Sequence, residues 1–588
     1  MKYPKIPVAQ SLILSCLSFK IWDIVISPGS RNVPLAIGFA SNKKFKCYSI
    51  VDERSAAFFA VGLSQKSKKP TVLICTSGSA LLNYYPAIAE AFYSEIPLII
   101  LSADRPKYKI KIGDGQTINQ SNVFEKNILY SSSLSQDCIH APEEIIKSNS
   151  QNIIGIKDNI SMLEKLQKSI QLSNEKIIEK AFNLSIYKMQ PVHLNVPMEE
   201  PLYDFVNRPT VKVNIGKKLV KLKSLENFDK YYKYIFRLKK ILILIGVSDK
   251  GLLSKKSIDK INSFSSVIVL KEHTSNVFDE AFISNIDRLI GPIELQSDSN
   301  SLFEELSPDL IISIGGMIIS KKMKKFLRNY KPKKHIHIGT NIAKDSFYTG
   351  VTHLHSSPNK FFENINLKEI DSNYHKIWQN INRSKLELHN RYMRTANFSE
   401  LKVFEILTNW IPKKYHVQVA NSTPIRYLQL FDLKNKNYMF ANRGTSGIDG
   451  STSTAIGYSV NSDSPVVLIS GDLSFFYDIN ALWNKQIPVS FRIIIINNRG
   501  GGIFKILPGY KEDSLFSEFI ETKHNLSARS IAKTFNFNYV SVSTKFGLNL
   551  ALRTFFKDSK KPKILEIKTK SVKSTKILKD YFRYLSKS

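Results

Sequence analysis

The sequence predicts an α/β protein built from three doubly wound parallel sheets, and three observations carry that expectation. Short apolar runs rich in Val and Ile alternate with longer helical patterns along the chain, as buried parallel strands covered by helices do. The runs fall into three blocks of similar size, separated by polar stretches near residues 200–220 and 360–395. Small, polar and glycine-containing clusters follow the runs directly, where an open parallel sheet binds its ligands. A chain of 588 residues is too long for one ordinary core, which also favours several domains.

In the first block, strands are expected at residues 24–27, 47–52, 71–76, 97–103 and 191–197. In the second they are expected at 241–246, 266–271, 310–316 and 335–339. The third holds the runs 416–422, 437–444, 465–472, 491–498, 537–543 and 563–569. The corresponding domains are placed at 1–198, 215–360 and 395–588, with linkers and connecting helices between them. The opening segment superficially copies a secretory leader, with Lys2 and Lys5 before an apolar run. Gln10, Ser11 and Ser15 interrupt that run and no small-residue cleavage site follows, so a first helix is expected instead. The basic tail from Thr569 reads as a closing helix.

Composition narrows the classes of function. Hydrophobic residues at 43% and charged residues at 23% are ordinary globular values. The net charge of +34 invites a nucleic-acid reading, but the lysines are spread from Lys2 to Lys587 and no recognition motif accompanies them. No nucleic-acid partner is expected. No run of 18 apolar residues occurs, so no membrane span is expected either. Cys16, Cys47, Cys75 and Cys138 form no CxxC pair and are too sparse to staple such a length, which fits a reducing cytoplasm. His335 with His337, and His353 with His355, have strand spacing, but no third metal ligand stands out.

The sharpest chemical signal is in the third block. One apolar run ends in Gly471-Asp472, and a second ends in Asn497-Asn498-Arg499-Gly500, with Asn498 placed 26 residues after Asp472. A carboxylate, an amide oxygen and a loop carbonyl at neighbouring strand tips form a partial oxygen shell suited to magnesium, with manganese also acceptable. Glycines there let the backbone approach phosphate oxygens, and a helix starting after Asp472 would aim N–H groups at them. Gly-Asp and Asn-Asn are also ordinary turn formers, so the spacing of the pair is the informative part.

That spacing resembles the motif shared by thiamine-diphosphate-dependent decarboxylases and carboligases. The resemblance implies that Asp472, Asn498 and the Gly500 carbonyl hold the metal, with Gly471, Leu473 and Ser474 near the diphosphate. Leu473 stands where many members carry glycine. Such enzymes also need a glutamate on a different domain, whose carboxyl assists removal of the thiazolium C2 proton through the pyrimidine ring. Glu53, between a strand and a helix of the first block, is in the expected place. A helix start welcomes acids for dipole reasons as well, so Glu53 draws its meaning from the third-block motif. The three blocks then correspond to pyrimidine-binding, central and diphosphate-binding domains. In the resembling enzymes the two cofactor-binding domains come from two subunits, which implies a homodimer or homotetramer.

Further segments narrow the resemblance: SPGSRNVPLA, DERSAAFFAVGL, TSGSALLNYYPAIAEAF, LSADRP, GDGQTI, NRGTSGIDGSTSTAIG, GDLSFFYDINAL and NNRGGGIFKILP. Together they are similar to the 2-succinyl-5-enolpyruvyl-6-hydroxy-3-cyclohexene-1-carboxylate synthases of the menaquinone pathway. This implies decarboxylation of 2-oxoglutarate and addition of the remaining carbanion to isochorismate. Both substrates are dianions, for which arginine forks are suited. The resemblance assigns Ser30, Arg31, Arg105 and Gln116 to isochorismate, and Ser422 and Arg426 to the distal carboxylate of 2-oxoglutarate. Arg443 in NRGTSG is a further candidate. Lys321 and Lys322 match a basic pair of the family, although the second of these is often arginine, and KKMKK also reads as a solvated helix face. Ile448 would prop the cofactor, with Ile503, Phe504 and Leu507 forming an apolar wall. A pyruvate-consuming relative of the acetolactate-synthase kind is the competing reading, and it has less need of several arginines.

Overall fold

A computed structural model describes residues 2–148, 160–216, 228–235, 237–340, 342–366, 370–506 and 513–587. The first sheet contains β1 (Asp23–Ile26), β2 (Lys46–Ser49), β3 (Thr71–Cys75), β4 (Leu98–Asp104), β5 (Tyr130–Ser133) and β6 (Val192–Pro197). The second contains β7 (Ile241–Ile245), β8 (Val267–Lys271), β9 (Leu310–Ile314), β10 (Lys334–Gly339) and β11 (Val351–His355). The third contains β12 (His416–Val419), β13 (Met439–Phe440), β14 (Val466–Gly471), β15 (Arg492–Asn497), β16 (Asn538–Val542) and β17 (Lys563–Lys568). All three are α/β sheets whose strands pair in parallel throughout.

One winding plan is used three times. The first sheet runs β2-β1-β3-β4-β6-β5, and the third runs β13-β12-β14-β15-β17-β16, the same order shifted along the chain. The second, β8-β7-β9-β10-β11, repeats it with a single strand after the fourth. In each sheet the direction of winding reverses between the first and third strands of the block, which is where such sheets open a ligand crevice. The clusters SPGSR and TSG follow β1 and β3, while Ser422 and Asp472 follow β12 and β14.

Most of the central strands, and the edge strand β8, along which Ile283 bonds, are buried on both faces. Every residue of β3, β4, β7, β8 and β15 is buried, as crossover helices on both sides require. Two strands do not announce themselves as apolar runs. YSSS at β5 and VTHLH at β11 lie at sheet edges, and their residues are mostly half-buried. His335 and His337 are inward residues of β10 that both contact the Ser313 hydroxyl, and burial pushes each imidazole down to about 4.

The helix at Pro7–Phe19 is buried along most of its length, and a helix at Ser571–Leu585 closes the chain. The polar stretch after residue 360 contains the 22-residue helix Tyr374–Thr395. Among the described residues, no helix is long and apolar enough to cross a membrane.

The chain divides into two compact units. The first comprises Met1–Lys221, Gly444–Asp463 and Tyr477–Pro488, and the second comprises Leu222–Arg443, Ser464–Phe476 and Val489–Ser588. Within the first, helix Glu53–Ser67 crosses helix Ser451–Val460 at backbone contact. A methyl group on Gly62 would lie 2.1 Å from the Thr454 carbonyl oxygen, and one on Gly457 would lie 2.0 Å from that of Phe59. Glycine at both positions is what permits this approach.

The buried Asp478 carboxylate holds the start of the second of these helices by accepting from the Ser453 amide at 2.7 Å and the Ser453 hydroxyl at 2.8 Å, and that hydroxyl lies 2.8 Å from the Ser55 hydroxyl of the first. Burial pushes the Asp478 carboxyl up to about 7 from 3.8. A folded-state pKa above the unfolded one contributes stability that is complete below the unfolded value and disappears as pH rises through the folded value. The melting temperature of wild type minus that of Asp478→Asn is therefore expected to shrink between pH 5 and pH 8. A difference that stays constant across that range contradicts the assignment.

Candidate active site

The second unit contains the oxygen clamp anticipated from the third block. Asp472 is the first residue of helix Asp472–Tyr477, directly after β14. One oxygen of its carboxylate accepts from the Leu473 amide at 2.8 Å, and the other accepts from Arg499 at 2.7 Å and Gly500 at 3.1 Å. These amides fix the carboxylate and draw the tip of β15 towards β14. Arg499 adopts φ +67° and Gly500 φ +148°, so the loop turns through left-handed conformations. A methyl group on Gly500 would lie 2.8 Å from the Glu521 carbonyl oxygen, which accepts from the Gly501 amide at 2.7 Å.

Asn498 shows most directly that this set fits a hard cation. Its amide nitrogen donates to Glu400 at 2.9 Å, and its Oδ1 is buried with no hydrogen-bond partner among the described residues. A buried acceptor left without a donor is costly unless something else satisfies it. That oxygen, the Asp472 carboxylate and the Gly500 carbonyl are all donors of the kind magnesium takes.

Three contributors to the clamp carry no sequence signature. Glu400, the first residue of helix Glu400–Trp410, sets the orientation of the Asn498 amide, and burial raises its own carboxyl to about 7. His524 places Nε2 3.3 Å from the Asp472 carboxylate, outside hydrogen-bonding alignment. Glu521 forms a buried ion pair with Lys505 at 2.9 Å, tying the segment after the clamp to the carbonyl that receives Gly501. Each comes from an element remote in sequence, so only the fold brings it to the site.

Around the clamp, Ser474 is buried, and Gly471, Leu473, Ile503 and Phe504 are half-buried. Leu507 lies outside the described residues.

Glu53 begins helix Glu53–Ser67 in the first unit. Asp52, not Glu53, caps that helix by accepting from the Ser55 amide at 3.1 Å. Glu53 is half-buried, and Asn83 approaches its Oε2 at 3.5 Å. The flanking residues are anchored more firmly. Asp52 accepts from Asn480 at 2.7 Å, and Arg54 donates to the Tyr477 carbonyl at 2.8 Å while lying over its ring. The glutamate is thus held at a fixed point with its carboxylate uncommitted to capping. In the same unit Glu90 seats the amides of Gly444 and Thr445, each at 2.7 Å, ahead of the exposed Ile448.

The anticipated anion-binding residues form one group in each unit. In the first, Arg105 donates to the Ser77 hydroxyl at 3.0 Å and the Gln116 carbonyl at 3.1 Å. A methyl group on Gly29 would lie 2.4 Å from Thr76, so the loop carrying Ser30 and Arg31 lies against the TSG loop. Ser30 is exposed, whereas Arg31 is buried and pairs with Glu200 at 2.9 Å.

In the second unit Ser422 adopts φ +73° at the head of helix Thr423–Leu428, a strained conformation for serine, and Arg426 lies one turn on. Arg443 donates to Asn421 at 2.6 Å. Burial raises the Asp287 carboxyl, while the Ser320 hydroxyl, Lys322 and Arg426 draw it back. Burial lowers the Lys324 ammonium, Glu272 opposes this, and Arg443, Arg328 and Arg426 add to the lowering. Lys322, Lys324, Arg426 and Arg443 therefore act on a shared electrostatic environment. Lys322 also pairs with Glu294 at 2.5 Å, and Lys321 is exposed on the same helix. Lys324, not anticipated, is half-buried like Lys322, whereas Lys321 and Lys325 are exposed.

Residues 6–126 match the family model for the thiamine pyrophosphate enzyme N-terminal TPP binding domain, and residues 422–567 match that for the C-terminal TPP binding domain. The fold and these matches define a thiamine-diphosphate enzyme. Over its full length the chain is 45% identical to the 2-succinyl-5-enolpyruvyl-6-hydroxy-3-cyclohexene-1-carboxylate synthase of Christiangramia forsetii, with 100% of both chains covered. It is 44% identical to the synthase of Flavobacterium psychrophilum, again covering 100% of both. To that of Phocaeicola vulgatus it is 34% identical, covering 96% of this chain and 95% of the other. The chain belongs to the family of 2-succinyl-5-enolpyruvyl-6-hydroxy-3-cyclohexene-1-carboxylate synthases.

Proposed function

We propose that the chain decarboxylates 2-oxoglutarate and joins the remaining four-carbon unit to isochorismate in menaquinone biosynthesis. The observation that carries this reading is the 45% identity across the whole of a synthase of that name. The positions of Glu53, Asp472 and Asn498 at strand and helix ends agree with it.

Thiamine diphosphate, when bound, supplies the electron sink that decarboxylation of a 2-oxoacid requires. Asp472, Asn498 and the Gly500 carbonyl would hold magnesium, or manganese in its place, and Gly471, Leu473 and Ser474 would lie along the diphosphate. Glu53 would hold a proton at its carboxyl against the pyrimidine ring. Ile448 and Ile503 would support the cofactor, and Phe504 and Leu507 would exclude water from the reacting carbon.

Ser30, Arg31, Arg105 and Gln116 would receive the carboxylates of isochorismate. Ser422 and Arg426 would receive the distal carboxylate of 2-oxoglutarate, with Arg443, Lys321 and Lys322 adding positive potential. The pyrimidine-binding, central and diphosphate-binding domains are assigned to 1–198, 215–360 and 395–588. A cytoplasmic homodimer or homotetramer is the proposed form.

Substrate choice tests the reading. With isochorismate and magnesium present, turnover of 2-oxoglutarate is expected to exceed that of pyruvate by roughly 10²-fold or more, since pyruvate lacks the carboxylate that Arg426 would bind. Equal turnover of the two 2-oxoacids contradicts the assignment.

A further inference from the structure

Four histidines that the proposed reaction does not use lie on one face of the second sheet, within the second unit. β9, β10 and β11 pair in parallel, with Ser313 opposite His337 and His337 opposite His353. Residues opposite one another or two apart in such strands share a face, so His335, His337, His353 and His355 form one patch at the edge of the sheet. His335 and His337 are 1% and 4% exposed, His353 is half-buried and His355 is exposed. The ring centres of His337 and His353 are 5.3 Å apart, and those of His353 and His355 are 3.7 Å apart.

Hydrogen bonding fixes which nitrogen each ring leaves over. The Gly339 carbonyl can only accept, so His353, which meets it through Nε2 at 3.0 Å, carries its proton there and keeps a lone pair on Nδ1. The Ser313 hydroxyl has one proton for two rings, facing Nε2 of His335 at 2.8 Å and Nδ1 of His337 at 3.0 Å. Asp345 decides between them, because its carboxylate is 4.0 Å from Nδ1 of His335 and favours a proton on that nitrogen. Ser313 then donates to His335 and accepts from Nδ1 of His337, which leaves the second lone pair on Nε2 of His337. That Nε2 is buried without a hydrogen-bond partner among the described residues. Ser313 is on the β9 side of His337, so Nε2 is on the ring edge turned away from β9. Charges of both signs flank the patch. Lys344 acts on His337, and Asp345 stands beside His335, held by the amides of Thr349 at 3.2 Å and Gly350 at 2.9 Å.

We infer that Nε2 of His337 and Nδ1 of His353 bind a borderline divalent cation of the zinc kind, which clips the edge strand β11 to β10. Two imidazoles on one tetrahedral ion, at the usual zinc–nitrogen distance of about 2.1 Å, have ring centres about 5 Å apart, and the His337–His353 pair has that spacing. His353 and His355 are too close for it, so His355 stacks on a ligand without becoming one. Ser313 and Gly339 supply the hydrogen bonds at the remaining ring nitrogens that orient ligating histidines. Burial lowers both imidazoles, which keeps them in the neutral, ligating form at neutral pH. Among the described residues no three such side chains converge on a metal position, so water fills the other coordination positions. Imidazole ligands disfavour magnesium, which keeps this site distinct from the clamp.

Calorimetric titration of the full chain, without an added histidine tag and saturated with thiamine diphosphate and magnesium, tests the inference with zinc chloride as the probe. Wild type is expected to bind zinc at one equivalent per chain that His337→Asn and His353→Gln each weaken roughly tenfold or more. Each replacement keeps an amide N–H where the imidazole donated, to Ser313 and to Gly339 respectively, so both variants should fold without zinc. Zinc should raise the melting temperature of wild type and leave that of either variant unchanged. His355→Gln should bind zinc as wild type does. Zinc uptake that is the same in wild type, His337→Asn and His353→Gln, as exchange at the clamp would give, overturns the inference. So does a wild type that binds no zinc, or a loss in His355→Gln equal to that in His353→Gln.

Discussion

Replacing Glu53 with glutamine is expected to lower carbon dioxide release from 2-oxoglutarate by roughly 10³-fold, within the range supplied by a positioned acid or base. The fold should be unaffected. Glu53 does not cap its helix, since Asp52 does, and Asn83 meets its carboxylate only at 3.5 Å. The melting temperature and far-ultraviolet circular dichroism should therefore match wild type while turnover collapses. Wild-type turnover in a folded Glu53→Gln enzyme contradicts the role given to this residue.

The second large effect is expected at Asp472. Replacement with alanine removes a proposed metal-binding carboxylate and the acceptor for the amides of Leu473, Arg499 and Gly500. Loss of a supporting residue around a metal commonly costs 10–100-fold in affinity, so loss of the carboxylate itself should weaken magnesium-dependent cofactor binding by about 10²-fold or more. Fluorescence titration of the cofactor at fixed magnesium measures this. Glu400→Gln provides a graded comparison, because it changes the hydrogen-bond partner of Asn498 without replacing a proposed ligand. An Asp472→Ala enzyme with wild-type cofactor affinity contradicts the clamp.

The legible parts of the sequence were those in which a local pattern and the fold agree. Continuous apolar runs marked the interior strands because parallel strands are buried on both faces. Edge strands β5 and β11 escaped, since YSSS and VTHLH meet solvent or polar neighbours and need no apolar run. The clamp was visible because Asp472 and Asn498 both follow strongly apolar strands at a telling separation. Glu400 and His524 were not, because each reaches the clamp from another element and has no local motif. In KKMKK, Ser320 caps the helix and Met323, Phe326 and Leu327 face inward, which encloses Lys324 more than Lys321. Sequence spacing alone did not reveal that phase. The crossing of helices Glu53–Ser67 and Ser451–Val460 likewise depends on Gly62 and Gly457, whose meaning appears only when the two backbones meet.

The most direct test of the proposed reaction follows carbon dioxide and isochorismate together in the purified enzyme supplied with thiamine diphosphate, magnesium and 2-oxoglutarate. Carbon dioxide should appear in equal amount to the isochorismate consumed, and mass spectrometry should find their combined product. Isochorismate left unchanged while 2-oxoglutarate is decarboxylated, or consumed without release of carbon dioxide, contradicts it.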